Sequence, residues 1–151
     1  MESTHEGNRG ANQPYAVACW LLAALFALRV LGQGLQQFLL LPFLPPASAF
    51  QGSGIPYPLL LAVQLAILYA MLRATIRLQH GATAPRRRLG VAFGAFGALY
   101  MAVALGRIAV GLGVPEAHAW FRTWIPAAFH VVLAGFVLTL AAFHLVRAEA
   151  K

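Results

Sequence analysis

Among the polar side chains that interrupt the apolar stretches of this 151-residue chain are Arg29, Gln33, Gln36, Gln64, Arg107 and His130. Arg29, Gln33 and Gln36 are spaced i, i+4, i+7, so a helix places them on one face. A guanidinium offers N–H donors and no acceptor, an amide offers both, and a neutral imidazole offers one of each. Such a set can grip a phosphate, a carboxylate or a quinone carbonyl. His130 adds the one side-chain type whose unperturbed titration falls near neutral pH.

Four apolar runs must position these groups. They extend from Tyr15 to Leu41, Pro58 to Leu78, Leu89 to Val114, and about Pro126 to Val146. Each reaches the roughly 20 residues needed to cross a bilayer as a helix. The composition agrees, with 60% hydrophobic and only 10% charged residues. A soluble domain carries about 25% charged residues. The expected fold is an all-α membrane protein, a four-transmembrane-helix bundle over residues 15–147. Residues 1–14 form a polar N-terminal tail and 148–151 a C-terminal tail. The first run is too long for a cleaved signal peptide and carries Arg29 in its middle, which predicts a retained helix.

The net charge of +7 does not describe a nucleic-acid face. Arg73, Arg77, Arg86, Arg87 and Arg88 gather around one short connection, as basic residues do on the cytoplasmic side of a membrane. That is expected to place both termini inside, and the alanine- and glycine-rich, arginine-over-lysine composition suggests a bacterium and hence its inner membrane. The connections 42–57 and 113–125 then face outward. The first holds Pro42, Pro45, Pro46, Pro56, Gly52 and Gly54 without a charge, and is expected to fold back over the helix ends. In the second, Trp120 and Trp124 flank Arg122, which predicts a short interfacial helix before the fourth span. Small residues recur every fourth position at Gly90, Gly94, Ala98, Ala102 and Gly106, and at Ala62, Ala66, Ala70 and Ala74. Both stripes are expected to let helices approach closely.

In this orientation all four helices bring polar groups to the outer half of the bilayer. Arg29, Gln33 and Gln36 come from the first, Gln64 from the second, Arg107 from the third and His130 from the fourth. Tyr57, Tyr100 and the proline-rich connection are placed to close a cavity there. Arg107, nearer the surface, can instead snorkel to lipid headgroups.

His130 and His144 lie on one helix, about 21 Å apart in rise and nearly four whole turns. The stretch from Phe129 to His144 loosely resembles the last helix of the bacterial four-helix membrane cytochromes of the b type. That resemblance covers one helix and implies axial ligation of haem b by His130 and His144, with His80 as a partner for His144. The first helix has no histidine, in departure from the family's pattern.

Several chemistries are excluded. There is no Asp, and Glu2, Glu6, Glu116 and Glu149 all lie outside the apolar runs. Paired carboxylates for hydrolysis, an acidic Ca²⁺ or Mg²⁺ cage and an intramembrane carboxylate relay are therefore absent. Cys19 is alone and reads as a small apolar residue. No nucleophile elbow surrounds Ser53, and the histidines lie at different depths, against a zinc site. Three readings remain: a pocket for an anionic or carbonyl-bearing lipophilic molecule, a lipid or a quinone; a haem or quinone electron-transfer subunit; and a structural subunit packing against a membrane-protein partner or a second copy.

Overall fold

In the computed structural model, backbone is described for residues 3–39, 41–44, 49, 55–114, 118, 121 and 124–149. Side chains are described within those ranges from residue 12 onward. Four helices account for almost all of it: α1 (Ser3–Leu39), α2 (Tyr57–Gln79), α3 (Arg87–Gly113) and α4 (Trp124–Glu149). All four are long and apolar enough to cross a bilayer, as a small multi-pass membrane protein requires. Their outward faces are correspondingly apolar, with Leu28 67% and Leu112 80% exposed.

The helix ends fall close to the expected ones, with one difference. α1 extends back to Ser3, through the segment read as a polar tail, and Pro14 sits inside it. Pro14 removes one backbone donor, yet the turns on both sides stay helical. Asn12 joins the buried side of α1, which lengthens the bundle by about a turn. Much of the proline-rich connection (Pro45, Pro46, Phe50, Gly52, Ser53 and Gly54) lies outside the described residues, as do Glu116, Trp120 and Arg122 of the expected interfacial helix.

Cross-helix pairs set the register. Trp20 Nε1 donates to Gln79 Oε1 at 2.8 Å, and Gln64 Nε2 donates to Gln33 Oε1 at 3.0 Å, so α1 and α2 are antiparallel. Tyr15 meets Phe143 edge to face, and Arg29 lies over Phe129, so α1 and α4 are antiparallel too. Gly90 faces Leu145, Gly97 faces Leu138 and Tyr100 meets His130, which runs α3 against α4. Gly81, at φ 67°, ends α2. Its left-handed backbone, open to glycine at no steric cost, reverses the chain toward α3.

The bundle is not a closed ring. α3 packs along α4, α4 along α1 and α1 along α2, but α2 and α3 do not pack along each other. One end is filled solidly, where Cys19, Leu78, Thr75 and Phe143 are at most 1% exposed. Thr75 and Thr139 settle their hydroxyls on the carbonyls one turn back, Met71 and Gly135, both at 2.8 Å. That arrangement satisfies a hydroxyl without a partner helix.

The small-residue stripes do not lie where their spacing suggested. Gly90 and Gly94 face α4, but Ala98, Ala102 and Gly106 are exposed, and so are Ala62, Ala66 and Ala70. The cause is geometric. A four-residue step overshoots a 3.6-residue turn, so the stripe rotates about 40° per step and leaves the interface. The buried positions of α3 are Gly90, Gly97, Ala104 and Arg107, which follow the seven-residue repeat of packed helices.

Candidate functional site

The buried stripe of α1 runs Ala16, Cys19, Ala23, Phe26, Val30 and then Gln33 and Gln36. Steps of three and four residues keep it on one face. The two glutamines thus continue an apolar seam at the end away from the α2–α3 turn. They are 2% and 7% exposed, and Gln64 facing them is 4% exposed. The Gln64–Gln33 bond joins α2 to α1 across this buried layer. Among the described residues, Gln33 Nε2, Gln36 Oε1, Gln64 Oε1 and Tyr57 Oη are buried without a hydrogen-bond partner.

Beside this layer lies a cavity of about 310 Å³. Its polar lining is Arg29 from α1, Gln64 from α2, Tyr100 and Arg107 from α3, and His130 from α4. Its apolar lining is Phe26, Ile55, Leu60, Val63, Ile67, Pro126, Phe129 and Leu133. Every helix therefore contributes, and so does Ile55, two residues before α2. Four of the six residues singled out by sequence, Arg29, Gln64, Arg107 and His130, line this one cavity. Gln33 stands one hydrogen bond behind it, and Gln36 is buried but outside the lining.

The two arginines are held differently. The Arg29 guanidinium lies 5.3 Å from the centre of the Phe129 ring. A cation over an aromatic face is attracted by the ring's quadrupole. Arg107 is 5% exposed and turned inward. It does not snorkel outward, because it continues the α3 stripe that faces α4. No carboxylate lines the cavity among the described residues.

His130 Nδ1 and Tyr100 Oη are 2.6 Å apart and share a hydrogen bond. Tyr100 was not singled out as the partner of His130. The signal was the register itself, because α3 and α4 run antiparallel and bring these positions level. Tyr57, expected to close the cavity, instead packs edge to face on Phe38, with ring centres 6.1 Å apart.

His130 and His144 do face the same way, toward α3, but do different work. His144 is 4% exposed, against Phe93 and Phe143. Its Nδ1 accepts the backbone N–H of Arg86 at 3.2 Å, at the N-cap of α3. Accepting at Nδ1 puts the ring proton on Nε2, whereas axial ligation through Nε2 needs that lone pair free. His80 and His118 are exposed. Among the described residues, no three His, Cys, Asp or Glu side chains gather as a metal site. Comparison with protein-family models, with curated proteins and with solved structures returned no match.

Proposed function

We propose that this membrane protein binds an anionic or carbonyl-bearing lipophilic molecule, a lipid or a quinone, in the cavity between its four helices. The observation that carries the reading is the unequal filling of the bundle. At one end Cys19, Thr75, Leu78 and Phe143 are fully buried, while toward the other lies a cavity lined by two guanidiniums, an amide and a Tyr–His pair. A charge inside a membrane costs about 2.5–3.5 kcal/mol on insertion scales. Two guanidiniums bordering one cavity, with no carboxylate in its described lining, suit a ligand that carries negative charge or carbonyl oxygen.

The reading is tested by purifying the full chain in mild detergent and analysing its organic extract by mass spectrometry, with absorption spectra before and after dithionite. A lipophile with a phosphate, carboxylate or carbonyl is expected to accompany the wild type. Arg29→Gln is expected to weaken its retention about 10- to 100-fold, since a charge-assisted hydrogen bond contributes about 1.5–3 kcal/mol. Its helical circular dichroism should persist. An empty extract, with Arg29→Gln reducing only thermal stability, would make the polar layer a packing device. A haem b spectrum lost in His144→Ala would instead establish electron transfer.

The orientation follows from Arg73, Arg77, Arg86, Arg87 and Arg88 around the α2–α3 turn, with Arg147 at the same end on α4. A basic end is a cytoplasmic end, so both termini lie inside and the cavity sits in the outer half of a bacterial inner membrane. A green fluorescent protein fused to the C-terminus should therefore fluoresce in a bacterial host, whereas alkaline phosphatase fused there should be inactive. The reverse pattern would place the cavity in the inner leaflet.

A further inference from the structure

We propose that the ligand reaches this cavity sideways from the bilayer, through the seam between α2 and α3, and that it is a phosphate-bearing lipid whose tail remains in the seam. This rests on the cavity reading above and names its ligand class and its route.

Three observations meet here. First, α2 and α3 do not pack along each other, yet both line the cavity. Among the described residues, the cavity therefore lies behind the seam where α2 and α3 do not pack along each other, with α1 and α4 as its back wall. Second, Val63 lines the cavity and is also 49% exposed on the apolar outer surface. Ile55, the other exposed lining residue at 44%, lies two residues before α2, so the cavity is open along the α2 side, and Val63 puts that opening on an apolar helix face. Third, at the opposite end Cys19, Thr75, Leu78 and Phe143 are fully buried.

The lining is graded along this path. Leu60, Val63 and Ile67 of α2 offer an apolar side to a hydrocarbon chain, and the polar groups stand on α1, α3 and α4 and at Gln64 of α2. Arg29 and Arg107 supply fixed positive charge, which complements a phosphate better than a neutral ring carbonyl. Gln64 Oε1, buried in the wall without a partner, adds an acceptor that a headgroup hydroxyl or amine satisfies and a quinone carbonyl cannot. An amphiphile with a phosphate, a donor and a tail matches all three features of the wall.

The experiment uses the full chain in an uncharged maltoside detergent, titrated separately with phosphatidylglycerol, with glycerol 3-phosphate and with a long-tailed quinone. Binding is read by native mass spectrometry. Phosphatidylglycerol is expected to bind, and the tail-less glycerol 3-phosphate to bind at least about tenfold more weakly. Val63→Trp fills the mouth and should reduce phosphatidylglycerol occupancy about tenfold. Leu65→Trp is the control, because Leu65 is 50% exposed on the same helix but does not line the cavity. Both positions face outward, so both variants should keep the wild-type melting temperature.

Equal binding of glycerol 3-phosphate, unaffected by Val63→Trp, would overturn lateral access and leave the anion site standing. Preference for the quinone would overturn the phosphate assignment alone. If no probe binds and Arg29→Gln changes nothing, the cavity reading itself falls.

Discussion

Replacing Gly90 by leucine is expected to force α3 away from α4 and to lower stability by about 3 kcal/mol, the upper part of the usual range for overpacking. A Cβ at Gly90 would stand 2.8 Å from Leu145 Cγ, 2.9 Å from its Cδ2 and 3.0 Å from its backbone nitrogen. Leu145 can rotate its side chain aside, but its backbone can yield only if the helix moves. Gly97 is crowded mainly by side-chain atoms, with Leu138 at 2.9 Å and Val137 at 3.3 Å, so Gly97→Ala should cost less than Gly90→Ala. Gly106 is the internal control, with nothing within 4 Å of its added Cβ. Gly106→Leu should change stability little or raise it by up to about 1 kcal/mol through helix propensity. Thermal unfolding in detergent, followed by circular dichroism, measures all four. A Gly90→Leu protein as stable as wild type would mean that α3 and α4 are not held at this distance in the membrane.

His144→Ala should be the second large loss, about 2–4 kcal/mol. Two effects add. Deleting the ring leaves a gap against Phe93 and Phe143, with a penalty that grows with the volume left empty. It also leaves the Arg86 N–H without its acceptor, at about 1–3 kcal/mol for a buried donor and less for this half-buried one. His144→Phe separates them by restoring a ring but not the acceptor, and should lose only about 1 kcal/mol. Helical content and melting temperature give the readout. Equal losses in the two variants would show that packing contributes nothing, and no loss in His144→Phe would remove the hydrogen bond from the account. If haem b were the reason for His144, His144→Phe would lose colour before it lost stability.

The four helices were legible in the chain because the membrane imposes a simple rule. Backbone groups in hydrocarbon must bond internally, so about 20 apolar residues in a row become a helix. No tertiary information is needed for that. The same rule, with antiparallel spans, fixes approximate depth. Arg29, Gln64, Arg107 and His130 could therefore be placed at one level before any contact was known. What the chain did not disclose was rotation about each helix axis. Lipid is as apolar as the core, so an apolar residue gives no sign of whether it faces a neighbour or the bilayer.

That loss of contrast explains the particular failures. Ala98, Ala102 and Gly106 looked like an interface and face outward, while Gly97 and Ala104 carry the packing. Nor could spacing show that His144 receives the backbone N–H of Arg86, a bond between residues 58 positions apart. Residue type and spacing determined the number of spans, their length and the depth of each polar group. Tertiary packing alone decided which faces meet, that the α2–α3 seam stays open, and which groups line the cavity. The reason is that depth is read from hydrophobicity against water, whereas facing is decided by steric fit between surfaces that lipid and protein make equally apolar.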